Sequence, residues 1–89
     1  MYNITFQNGF TLPVALEVRS GSSASCDQNV QQYNQSLNAH DSYLLTTDDV
    51  VVCWRRTADP DNPSQGYTSW NTFEPNDINT PTTIDISTS

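Results

Sequence analysis

Val50-Val51-Val52-Cys53-Trp54-Arg55-Arg56-Thr57 is built almost entirely from β-branched, aromatic and long side chains, and its apolar residues fall on both faces of an extended chain. Such residues suit a pleated, packed surface, and apolarity on both faces predicts a central strand covered on each side. Just upstream, Ser42-Tyr43-Leu44-Leu45-Thr46-Thr47 also reads as a strand, with Asp48-Asp49 between the two. This spacing predicts a β-hairpin turning at the two aspartates.

Working outward, strict alternation recurs. In Tyr2-Asn3-Ile4-Thr5-Phe6-Gln7 the apolar residues share one face, and Val14-Ala15-Leu16-Glu17-Val18-Arg19 repeats the pattern with Glu17 and Arg19 on the polar side. A period of two is the mark of a half-buried strand. Residues 29–39 fit a strand or a helix by spacing, and the β character of the rest favours a strand. Residues 67–73 and 82–87 complete the set, with Ile84 and Ile86 facing inward. Residues 58–66 hold two prolines, a glycine and three Asx residues, which makes a turn-rich loop. About seven short strands separated by turn signals predict an all-β fold, a small single-domain antiparallel β-sandwich over residues 1–89, with a small β-barrel as the alternative.

A chain of 89 residues with 35% hydrophobic content has a small core and gains from a cross-link. Cys26 and Cys53 are the only cysteines, and a bond between them stabilises by roughly 3.5 kcal/mol through loop closure. An exposed free thiol in the Ser-rich loop before Cys26 would be a liability, so a disulfide is expected, and with it an oxidising compartment. Residues 1–20 show no basic start followed by an apolar stretch, so no secretory leader is legible. The expected location is extracellular or on a particle surface, a virion included.

The charge balance narrows the partners. Ten acidic residues oppose three arginines and no lysine, for a formal net charge of −7. Nucleic-acid affinity relies on cationic side chains displacing counterions, so nucleic acid is not an expected partner, and no apolar run is long enough for membrane insertion. The exception that acidity permits is a small acidic inhibitor or nucleic-acid mimic, although the carboxylates are scattered rather than gathered in runs.

Enzyme signatures are sparse. His40 is the only histidine, its neighbour Asp41 would point away from it in a strand, and no nucleophile elbow, zinc spacing or phosphate loop is present. No cofactor is expected. Calcium is the one metal the carboxylates could serve, through Asp59, Asp61, Glu74 and Asp77, but their spacing fails the EF-hand pattern and Pro60 interrupts it. A small hydrolase is the most distant reading.

The expected function is a non-enzymatic binding or assembly module, with a protein or glycan partner, self-association into a homo-oligomer or docking onto a larger assembly. Its expected surface is the 57–73 region: Tyr67 and Trp70, with Arg55, Arg56, Asp59 and Asp61, because aromatic residues beside arginine give large contact area at little entropic cost. Trp54, in phase with Val50 and Val52, is expected in the core. Arg55 and Arg56 must point to opposite faces of their strand, so one joins the surface and the other pairs with a local carboxylate such as Asp59. The first and last strands carry almost no charge and no lysine to protect them. They are expected either to accept a strand from another molecule or to pair with each other.

Overall fold

A computed structural model describes residues 1–88 and shows seven strands in two sheets. The strands are β1 (Tyr2–Gln7), β2 (Val14–Gly21), β3 (Gln31–Leu37), β4 (Ser42–Thr47), β5 (Val51–Arg56), β6 (Asn71–Phe73) and β7 (Thr82–Asp85). One sheet has the order β4-β1-β7 and the other β3-β2-β5-β6. The architecture is an all-β sandwich, and the barrel alternative falls because the two sheets stay separate.

The core lies between the sheets, where alternation sends Ile4, Phe6, Val14, Leu16, Val18, Leu45, Val52 and Trp54 inward. Leu37 and Ile86 are buried in the same cluster. Phe6 and Trp54 meet edge to face with ring centroids 6.2 Å apart, an arrangement favoured by the ring quadrupoles. Trp54 is therefore a core residue, as its phase with Val52 indicates.

Two pairings differ from the sequence reading. β4 and β5 form no hairpin: β4 pairs with β1, and β5 pairs with β2 and β6 in the other sheet. Asp48-Asp49 thus bridges the two layers. The local signal for a turn was sound, but strand pairing is settled by which apolar faces meet, and β5 with both faces apolar is best covered in the middle of the larger sheet. Secondly, β1 is a central strand that runs parallel to β7, so the sandwich is not antiparallel throughout and β1 has no free edge. The first and last strands do pair with each other, the second of the two outcomes expected for them.

A buried amide fastens one end. Asn8 is fully buried, with Nδ2 donating to the carbonyls of Leu12 and Asn38 at 3.0 Å and of Leu37 at 3.3 Å, while Oδ1 accepts from the Phe10 N–H at 2.9 Å. These bonds give the buried Asn8 amide partners for both its donor and its acceptor. They tie the β1–β2 connection to the β3–β4 turn.

Candidate functional site

The outer face of the four-stranded sheet carries the candidate site, and β2 and β5 build it. Their register sets Glu17 opposite Arg55 and Arg19 opposite Cys53, all on the side away from the core. Arg55 donates from Nε and Nη2 to one Glu17 oxygen at 3.0 and 2.8 Å. Both side chains are partly exposed, so this pair contributes orientation more than stability, at most about 1 kcal/mol.

The 57–68 segment returns the aromatic residues to this face. Thr57 bridges Tyr67, the Ala58 N–H donates to the Gly66 carbonyl at 2.9 Å, and the Thr68 N–H donates to the Arg56 carbonyl at 2.8 Å. Gly66 closes the loop at φ 85°, a conformation glycine adopts without steric cost. Tyr67 and Trp70 then stand beside Arg55, whose guanidinium carbon lies 4.9 Å from the Tyr67 ring centre and 4.5 Å from that of Trp70. Arg19 approaches the same Trp70 ring at 5.6 Å. Cation–π contacts of this kind are worth about 0.5–1 kcal/mol where solvent has access.

A disulfide floors the site. Cys26 and Cys53 are bonded, with Cα atoms 5.8 Å apart, and Trp70 packs against the small cluster they form with Val51. Asn29, itself buried, holds the loop that delivers Cys26: its Oδ1 accepts from the Ser23 N–H at 3.1 Å and its Nδ2 donates to the Ser23 carbonyl at 2.8 Å. Gly21 makes room for it, since a Cβ there would collide with the Asn29 side chain. The loop and disulfide cover the outer face of β5, and this is the second covering that its apolar residues demand.

Of the residues singled out from sequence, Arg55, Tyr67 and Trp70 come together. Arg56 points the other way and is buried. Its Nε donates to the Ile86 carbonyl at 2.5 Å and its Nη1 to the Thr57 and Ala58 carbonyls at 2.8 and 3.2 Å, with Phe10 4.8 Å from its guanidinium carbon. Burial lowers its pKa. Asp59 is engaged in its own turn, accepting from the Asp61 N–H at 3.0 Å, and Arg55, the arginine that joins the aromatic face, also pairs with a carboxylate, that of Glu17. Asp61 is exposed in that loop.

Glu17 and Arg19 are the site residues the sequence reading left out. Alternation puts both on an outward face, but only the β2–β5 register shows whose neighbours they are. Among the described residues Arg19 forms no ion pair, which leaves its donors available to a ligand. Burial pushes the Tyr67 phenol up from its ordinary value, and the nearby Glu17 carboxylate pushes in the same direction while Arg55 opposes. The face thus offers aromatic surface, hydrogen-bond donors and the Glu17 carboxylate within a few ångströms of one another.

Elsewhere, His40 occupies the β3–β4 turn at φ 64°. Among the described residues no three or more His, Cys, Asp or Glu side chains gather so as to hold a metal ion, and no helix is long and apolar enough to cross a membrane. Compared with known families, curated proteins and solved structures, the chain matches none.

Proposed function

We propose that this chain is a non-enzymatic binding module that takes a protein or glycan partner on the outer face of its four-stranded sheet. The observation that supports this reading is the placement of Arg19 and Arg55 over one Trp70 ring, beside Tyr67 and on a disulfide-pinned floor. Aromatic and arginine side chains dominate binding energy at interfaces, and a rigid base lowers the entropy lost on association. The partner's complement is a flat apolar surface, such as a sugar ring or an aliphatic or aromatic side chain, with a carboxylate or hydroxyl within reach of Arg19. A disulfide accords with work outside the reducing cytosol, on a secreted protein or a particle surface.

Screening the chain against a glycan array and a peptide library tests this. Ligands held by the native chain should be lost with Trp70→Ala and weakened by Arg19→Ala, and raised salt should weaken them only modestly. Binding that survives the loss of Trp70 and Tyr67 overturns the reading. Affinity that collapses with salt and responds to charge reversal at Asp48, Asp49, Asp59 and Asp61 would make the chain an acidic mimic instead.

A further inference from the structure

The two lateral sides of the sandwich are unlike. One side is made by β6 and β7, of three and four residues, with Glu74 following β6 and Asp85 within β7. The other is made by β3 and β4, of seven and six residues, which lie beside each other and contain no charged residue. Folded β proteins shield long edges with charge, proline or bulges, and β3, Gln31-Gln32-Tyr33-Asn34-Gln35-Ser36-Leu37, has none of these.

Its free hydrogen-bonding groups can be assigned. Ala15 faces β5, because its carbonyl accepts from the Thr57 N–H at 3.0 Å and its N–H donates to Thr57 Oγ1 at 2.9 Å. Successive residues of an antiparallel strand turn their backbone groups to opposite sides, so residues 14, 16, 18 and 20 face β3 and bond with 37, 35, 33 and 31. The N–H and C=O groups of Gln32, Asn34 and Ser36 therefore point away from the sheet. By the same rule β4 turns the backbone of Ser42, Leu44 and Thr46 outward, since the Asn8 N–H donates to the Asp41 carbonyl at the start of its ladder with β1.

We propose that the β3 edge is the docking site of a second copy of this chain, paired antiparallel about a two-fold axis through Asn34. Residue 34 then meets its counterpart and residue 32 meets 36, each pair exchanging an N–H and a C=O, and the two four-stranded sheets become one continuous sheet. Charge selects the occupant. Copies that each carry −7 repel wherever carboxylates face, and residues 28–39 form an uncharged stretch on which they approach without that cost. Glu17, the carboxylate cross-strand from Asn34, is held in an ion pair by Arg55, and the next carboxylates along the chain, Asp27 and Asp41, fall outside the seven-residue ladder. The exposed side chains suit a two-fold as well, because the amides of Gln32 and Asn34 both donate and accept and so complement themselves. The assignment does not rest on the outer-face site.

Sedimentation equilibrium from about 1 µM to about 1 mM, the range in which a weak dimer shows itself, combined with amide hydrogen exchange, tests it. The native chain should show a reversible monomer–dimer equilibrium, with the amides of residues 32, 34 and 36 slowing as concentration rises. Asn34→Lys sets like charges against each other at the axis and should weaken the dimer at least tenfold. Asn34→Pro should do the same by removing a central N–H that the fold itself does not use, and if it fails to fold, the exposed Asn34→Lys change decides alone. Thr83→Lys, on the opposite side, should leave the dimer intact. A monomer throughout the range, a dimer indifferent to Asn34→Lys, growth beyond the dimer, or protection of these amides only when another protein is added would each overturn the proposal.

Discussion

Arg55 and Arg56 are neighbours in sequence and have opposite roles, because β5 presents a different environment on each face. Outward, Val51, Cys53 and Arg55 meet the disulfide loop, Trp70, Tyr67 and Glu17, in a layer that water partly reaches. Inward, Val52, Trp54 and Arg56 are buried, and Arg56 bonds the backbone carbonyls of Ile86 and Thr57. A guanidinium held by carbonyls in the interior is structural, since its removal strands those acceptors. One held by a partly exposed carboxylate and aromatic rings is adjustable, as the proposed binding surface requires.

The largest effect should come from the outer layer's floor. Reducing the Cys26–Cys53 bond should cost roughly 3.5 kcal/mol in urea unfolding through restored loop entropy. The oxidised chain should show no alkylatable thiol and a mass two hydrogens below the reduced form. A reduced chain of unchanged stability would mean that the outer layer contributes little to the fold.

Next comes the arginine pair itself. Arg56→Ala should destabilise by about 1–3 kcal/mol, because the carbonyls of Ile86 and Thr57 lose their donor in a buried setting. Arg55→Ala should stay within about 1 kcal/mol, as expected of a partly exposed ion pair. Thermal or urea denaturation of both variants gives the contrast directly, and equal losses would erase the distinction between the faces.

The smallest effect concerns protons. Tyr67 should titrate above its ordinary value in an ultraviolet pH titration, because burial and the Glu17 carboxylate both disfavour the phenolate. Glu17→Gln should bring it down. A phenol whose pKa is raised on folding contributes stability that is present below its unfolded pKa and fades as pH rises through the folded value, so Tyr67 should add to alkaline destabilisation. A Tyr67 that titrates at its ordinary value, unaffected by Glu17→Gln, would place it away from the cluster.

How much of this could be read in advance depended on distance along the chain. The strands read at 2–7 and 14–19 follow from local alternation, and Trp54 announces its face through its phase with Val52. The strand expected over 67–73 is shorter in the structure: only Asn71–Phe73 pairs as a strand, because Tyr67 makes an isolated bridge with Thr57 before the chain crosses the outer face. For the site, the aromatic residues and Arg55 were visible as a composition cluster, whereas Glu17 and Arg19 lie some 36 or more positions away and join only through the β2–β5 register.

By itself the sequence determined the all-β class, the existence of most strands, the side each residue takes on its own strand and the value of a Cys26–Cys53 bond, because these rest on a period of two and on chain entropy, which are local or pairwise quantities. Only the tertiary structure decided that β4 and β5 part into different sheets, that β1 lies between β4 and β7, that Arg55 finds Glu17, and that β3 is left as an open edge. Those choices depend on how several apolar faces are covered at once, and the free energy of covering one face is not set until its partner strand is known.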